Sequence, residues 1–386
     1  MGMIPAIIGL IFAALLIFYA GKQFGKKRQS RKSAETARRY FKGLSYVLNE
    51  EPDKAIDLFV ELIKVDSDTV ETHFALGNLY RQRGETERAI RIHQNIYNRP
   101  ALPEAHRSHA QYELGLDYFQ AGILDRAETI FSEQLKDNFY RQSALKMLLQ
   151  LYQKTKEWDK AVAVASELRR ELPTDFVPVL AHFYCELAEN HLAKRQPDKA
   201  LAMCAASLEV DGKNVRANLI AAQAHLINGE RDAARDSLRA ILRQDPTLFS
   251  EAIPMLADVC ENPDQQEVLL TEAISAGAGA SSVLALAEKK RHAQGDRAAG
   301  EFLITQLKTR PSLRELHRLV ELHVANASGS TKESLQLLGE VLLRLNSEAH
   351  RFHCQRCGFH GSQMYWRCPT CKTWNSVKPV TGIVGE

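Results

Sequence analysis

Four cysteines hold the clearest chemistry in this sequence. Cys354, Cys357, Cys368 and Cys371 form two C-x-x-C knuckles separated by ten residues, in the stretch CQRCGFHGSQMYWRCPTC. The two-residue gap lets both sulfurs of a knuckle face one ion, and two facing knuckles complete a tetrahedral S₄ site for zinc or iron. Gly358 follows the second cysteine, where a positive φ is favoured, and Pro369 stiffens the second knuckle. We therefore expect these four residues to hold one structural metal ion, zinc in preference to iron. Phe352, Phe359, Tyr365, Trp366 and Trp374 supply nearly all the apolar bulk of the surrounding ribbon, placed at residues 350–376 and followed by a tail, 377–386. About 25 residues cannot fold on that bulk alone, so the metal has to supply the folding free energy. The remaining cysteines, Cys185, Cys204 and Cys260, lie singly in helical sequence and read as small buried apolar residues.

Other uses of paired cysteines fit less well. A thioredoxin-like redox pair wants a surrounding βαβ pattern and one pair, not two. The C-P-x-C form and the spacing are similar to rubredoxin, which with iron would imply electron transfer. No flavin, haem or nicotinamide motif accompanies them. A closed four-thiolate site also leaves no open position for hydrolytic chemistry.

Most of the chain serves another purpose. Leu76-Gly77, Tyr80, Gly84 and Ala89 recur as Leu114-Gly115, Tyr118, Gly122 and Ala127, with Phe131 four residues on. Upstream the pattern appears as Gly43, Tyr46, Ala55 and Phe59, offset by 34 residues from Gly77. Downstream come Tyr152 with Ala161, then Ala200 and Ala234, again 34 apart. Gly, Tyr, Gly and Ala at fixed offsets in a 34-residue unit are the tetratricopeptide signature, a pair of helices per unit. Each pair alone exposes an apolar face, so the units must stack. Six units are recognisable through about residue 245, and residues 250–345 look helical but degenerate. The array is placed at 40–347. Tyr80, Tyr118 and Tyr152 are expected to pack between helices and not to form a binding row, and neither His191 nor His225 is expected to bind metal or catalyse.

The ends differ from the body in charge. No side chain from Met1 to Gly21 is charged, and Met3–Ala20 is an almost unbroken apolar run. Eighteen helical residues reach roughly 27 Å, close to the thickness of a bilayer core. No Lys or Arg precedes the run, and Phe18-Tyr19-Ala20 lacks the small residues of a cleavage site, so residues 1–20 read as an uncleaved transmembrane helix. Residues 22–42 then hold nine Lys or Arg against one acid, a net of +8. By the positive-inside rule the N-terminus faces out and everything after Lys22 is cytoplasmic, including the basic juxtamembrane segment, 21–39. The last 36 residues carry +4, which leaves −9 on residues 43–350 of a chain whose net charge is +3. An acidic body argues against nucleic acid as partner, and the basic ribbon is expected to pack against it. With 45% hydrophobic and 25% charged residues, wholesale disorder is excluded.

The expected architecture is an all-α tetratricopeptide-repeat superhelix with one N-terminal transmembrane helix and a small C-terminal rubredoxin-like zinc ribbon. In that order of parts the chain resembles the lipopolysaccharide assembly protein B family of Gram-negative bacteria, whose metal ligands the four cysteines match one for one. The resemblance implies a single-pass inner-membrane protein, N-terminus periplasmic and body cytoplasmic, acting as an adaptor. It implies binding to a membrane-anchored AAA protease, degradation of the lipid A pathway deacetylase, and organisation of other lipopolysaccharide-synthesis proteins at the membrane. No H-E-x-x-H, G-x-S-x-G, P-loop or dinucleotide fingerprint occurs, so neither an enzyme nor a small-molecule substrate is expected. Two alternatives remain: an electron-transfer protein on a repeat scaffold, and a nucleic-acid-binding zinc ribbon.

Overall fold

The computed structural model describes residues 35, 37–49, 51–65, 70–100, 102–136, 139–348 and 350–386. The expected transmembrane helix and almost all of the basic segment lie outside the described residues. Among those described, no helix is long and apolar enough to cross a membrane.

The described chain is helical up to the ribbon. Six helix pairs follow the predicted period: a helix over residues 37–48 (α1) with α2 (Pro52–Val65), α3 (Val70–Gln82) with α4 (Thr86–Tyr97), and α5 (Glu104–Gln120) with α6 (Leu124–Gln134), then α7 (Arg141–Thr155) with α8 (Trp158–Glu171), α9 (Pro173–Ala193) with α10 (Pro197–Val210), and α11 (Val215–Ile227) with α12 (Arg231–Gln244). The signature alanines Ala55, Ala89, Ala127, Ala161, Ala200 and Ala234 are all fully buried, as a close helix crossing requires. The signature glycines serve the same approach. A Cβ on Gly43 would stand 2.6 Å from Phe59, and one on Gly115 would stand 2.7 Å from Phe131. In the second pair the residue sixteen positions after Gly77 is His93, fully buried, with Nδ1 2.5 Å from Asp117 Oδ2. Arg81 donates to Asp117 Oδ1 at 2.9 Å and to Glu113 Oε2 at 2.6 Å, so a buried charged cluster ties α3, α4 and α5 together.

The tyrosine row packs, as expected, and in a specific way. Tyr46, Tyr80, Tyr118 and Tyr152 each lie under a cation eight residues later: Lys54, Arg88, Arg126 and Lys160, at 5.2–5.8 Å from the ring centroid. Each ring thus joins the two helices of its own pair through a cation–π contact. His191 and His225 lock turns, with Nδ1 3.0 Å from Gln196 Oε1 and 2.6 Å from Glu230 Oε2.

After residue 245 the pattern changes for a local reason. The first helix of the seventh pair is broken into 3₁₀ turns, Pro246–Glu251 and Ile253–Met255, and a short α13 (Leu256–Val259). Pro246 and Pro254 lack the N–H groups that a continuous helix would need. Regular helices resume with α14 (Pro263–Ala276), α15 (Ala280–Gln294), α16 (Asp296–Thr309), α17 (Leu313–Asn326) and α18 (Gly329–Glu348). Only residues 277–279 separate α14 from α15, with Gly277 in left-handed backbone, φ +99°.

The ribbon is a three-stranded antiparallel sheet in the order β2-β1-β3, with β1 Phe352–Cys354, β2 His360–Gly361 and β3 Val377–Pro379. Phe352 pairs with Gly361 on one side and Pro379 on the other. Residues 377–379, read from sequence as the start of a tail, therefore belong to the ribbon. By compactness the chain divides into two units, Met1–Leu151 and Tyr152–Glu386, so the ribbon is part of the second unit.

Candidate metal centre

The two knuckles are built alike. Gly358 N donates to Cys354 O and Lys372 N to Cys368 O, both at 3.0 Å, while Cys354 N donates to Phe359 O and Cys368 N to Thr373 O. Both turns end in left-handed backbone, φ +74° at Gly358 and +59° at Lys372. The second is a conformation that L side chains reach only at a cost.

These turns bring all four expected ligands together. The sulfurs of Cys354, Cys357, Cys368 and Cys371 lie within 4.8 Å of one another. Across the knuckles Cys354 Sγ is 3.7 Å from Cys371 Sγ, and Cys357 Sγ is 3.7 Å from Cys368 Sγ. A disulfide would need about 2.05 Å. A tetrahedron of sulfurs each about 2.3 Å from a central ion has edges of about 3.8 Å, which matches. The electrostatics fit as well. Burial opposes ionisation of Cys354, but the Ser376 hydroxyl and backbone N–H groups of Cys357 and Arg356 outweigh it and hold this thiol low. The Thr373 hydroxyl and N–H lower Cys371. At Cys357 the Phe359 N–H favours the thiolate, yet burial and the three neighbouring sulfurs prevail and push it up. The first thiolates form readily and then repel the next, a conflict that a dication among them removes. The other cysteines behave as core residues: Cys185, Cys204 and Cys260 are buried, and burial raises each thiol, Cys185 to about 11.

The five aromatic residues do not share one core. Phe352, Phe359 and Tyr365 pack inside the ribbon with Cys354, Cys368 and Val377. Trp366 instead joins the core of α11–α15, among Leu238, Leu256 and Leu269. Trp374 is buried against helices as well. Its Nε1 donates to Gln153 Oε1 at 3.1 Å, its ring stacks on His182 at 5.2 Å, and Phe183 meets it edge-on at 5.9 Å. Farther along, Lys378 Nζ is 3.5 Å from Asp245 Oδ2. The Glu386 carboxylate accepts from the Ser281 N–H at 3.0 Å and from Arg314 at 2.7 Å, and Leu313 N donates to Ile383 O. The ribbon is thus fixed on the end of α7 and on α9, and the tail that follows it on α15 and α17, so the expected packing of a basic ribbon on the array is present. None of these array partners was identifiable in the sequence, because each lies far along the chain from its ribbon contact.

His182 gives this contact a pH dependence. Burial first, then the Arg216 and Lys378 charges, push its imidazolium from 6.5 down to about 3. The unfolded chain takes up that proton near pH 6.5 while the folded protein does not, so the stability is whole above pH 6.5 and declines below it. Between pH 7 and 5.5 the metal-saturated protein should lose about 1 kcal/mol from this residue. Urea unfolding at both pH values should show that loss, and His182→Phe, which keeps a ring against Trp374, should show less. Equal slopes for both proteins would remove His182 as the cause.

Comparison with known proteins agrees with this construction. The rubredoxin metal binding domain family matches residues 352–379, and tetratricopeptide repeats match residues 72–106 and 185–248. Lipopolysaccharide assembly protein B of Escherichia coli K12 is 35% identical over 378 residues, covering 97% of both chains. Its namesake in Haemophilus influenzae is 32% identical over 387 residues, covering 96% of this chain and 97% of its own. The relationship therefore runs through array and ribbon together, over nearly the whole length of the chain.

Proposed function

The chain belongs to the lipopolysaccharide assembly protein B family, and from that premise we propose that it is an inner-membrane-anchored cytoplasmic adaptor regulating lipopolysaccharide synthesis. In this reading the repeat array holds two proteins together, a membrane-bound AAA protease and the lipid A pathway deacetylase, and so promotes degradation of the deacetylase. It also gathers other lipopolysaccharide-synthesis proteins at the membrane. The observation that carries the proposal is the full-length relationship, which spans array and ribbon together. The chemistry of the chain is consistent with it. Four thiolates around one ion leave no open coordination site, so the metal, proposed as zinc, cross-links the ribbon and has no part in turnover. Purified protein that absorbs no visible light supports zinc, while a coloured S₄ iron centre would favour electron transfer.

Residues 1–20 are proposed to cross the membrane once, N-terminus outside, with the basic segment on anionic headgroups. If both partners are held at the membrane, the anchor confines the search and raises effective concentration, to about the millimolar range for short tethers. Deleting residues 1–20 should then leave a folded, metal-bound protein that fails to lower the deacetylase level at native abundance. An unrelated single-span helix with the same basic flank should restore most of the effect. Full activity of the anchorless form at matched abundance would remove tethering. A crosslinking pull-down from membranes that captures neither protease nor deacetylase would overturn the adaptor reading itself.

A further inference from the structure

A groove of about 360 Å³ opens where the ribbon meets the helices of the second unit. Its walls are rings from both sides, Trp158 from the start of α8 and Tyr365 and Trp366 from the ribbon. Three cations line it, Lys156, Arg216 and Arg367, against the single acid Glu186.

Two features of these cations go unexplained by folding. Arg216 is 5% exposed, and its Nε and Nη2 pair with Glu189 and Glu186 at 3.1 and 2.8 Å, yet its buried Nη1 has no hydrogen-bond partner. A buried guanidinium N–H left unpaired is costly unless something completes it. Lys156 is the second. It closes the turn between α7 and α8 with φ +60°. The same turn is closed by Gly84, Gly122 and Gly229 in three other pairs, φ +76° to +80°, and by Arg195, φ +56°, in the fifth. The equivalence is structural: in each, the next residue's N–H donates to the carbonyl five residues back, Glu85 to Tyr80, Ile123 to Tyr118, Glu230 to His225, and here Glu157 to Tyr152. Glycine suits that backbone better than a side-chain residue does, so Lys156, like Arg195, stands against the local preference, and of the two only Lys156 lines the groove. It is exposed where it lines the groove.

We propose that this groove binds an acidic segment of a partner protein, with a carboxylate among Lys156, Arg367 and the unpaired Nη1 of Arg216, and an adjacent apolar residue against Tyr365 and Trp366. Charge complementarity selects this occupant. Nucleic acid would need a continuous basic track, whereas Glu186 and Glu189 interrupt the cations here. The inference rests on the adaptor reading only in taking the partner to be a protein.

The test uses the full metal-loaded chain and a blocked peptide of sequence Asp-Glu-Leu-Phe-Glu-Asp, followed by tryptophan fluorescence. Its Asn/Gln isostere and single-stranded oligo(dT) serve as counter-probes. The acidic peptide should bind at least about tenfold more tightly than the isostere, and less tightly as salt is raised. Lys156→Gly relieves the left-handed backbone and is expected to fold as the native chain does. It should leave metal content and melting intact or improved and weaken the peptide about threefold to tenfold, with Lys156→Glu weaker still. Equal binding of the isostere, no effect of Lys156→Gly, preference for oligo(dT), or no binding at millimolar peptide would each overturn the proposal. The adaptor reading falls separately, on capture and degradation of its partners in cells.

Discussion

Replacing Cys354 or Cys371 by Ser is expected to empty the metal site and unfold the ribbon while far-UV circular dichroism keeps most of its helical signal. A serine hydroxyl does not ionise near neutrality, so the S₄ set loses a ligand. Structural zinc contributes about 10–16 kcal/mol of apparent binding free energy in small domains, far more than Phe352, Phe359 and Tyr365 can replace. The helices keep their neighbours and stay folded. The damage still spreads beyond the ribbon. Trp366 and Trp374 leave their places, so their near-UV signal should collapse, and the cores around Leu256 and Phe183 should bind an apolar dye. Metal content near zero, loss of the aromatic signal and loss of function should therefore appear together. A cysteine variant that holds no metal yet retains full activity would show that the ribbon is dispensable.

The knuckles and the six helix pairs were legible because each is specified by spacing. Cys354, Cys357, Cys368 and Cys371 need only two turns to converge, and a buried alanine every thirty-odd residues marks each crossing. What the sequence left open depends on partners far along the chain. Trp366 and Trp374 look like ribbon core by composition, and only the positions of His182 and Gln153 reveal that they face the helices. Val377–Pro379 is too short to show an alternation, and one of its three residues is a proline, so nothing marks it as a strand. The seventh pair lost its first helix to Pro246 and Pro254, which erased the period there. Lys156 carried no signal at all until its φ could be set beside those of Gly84, Gly122, Arg195 and Gly229 in the same turn.

Metal and docking are separable, and Trp374→Ala is expected to separate them. This side chain lies outside the ligand set, so the variant should bind one metal ion and keep the ribbon folded. What it loses is attachment. The indole gives up its hydrogen bond to Gln153, its stack on His182, its edge contact with Phe183 and the covering Arg216 guanidinium, 6.0 Å above the ring. Truncating a buried tryptophan costs about 3–5 kcal/mol, enough to shift the docking equilibrium by about two to four orders of magnitude. The contacts of Lys378 and Glu386 remain, so the ribbon should swing on that edge and not detach altogether. Hydrogen exchange is the measurement: amides of α9 and the start of α11 should lose protection, while those of β1 and β3 keep theirs. Cys354→Ser should lose protection in both sets. If the ribbon acts by closing one side of the groove at Trp158, Trp374→Ala should be nearly as inactive as the cysteine variant despite its bound metal. Unchanged protection in α9 would mean that Trp374 does not hold the ribbon in place. Full activity with α9 exposed would mean that docking serves stability alone, leaving the metal-bound ribbon itself as the functional element.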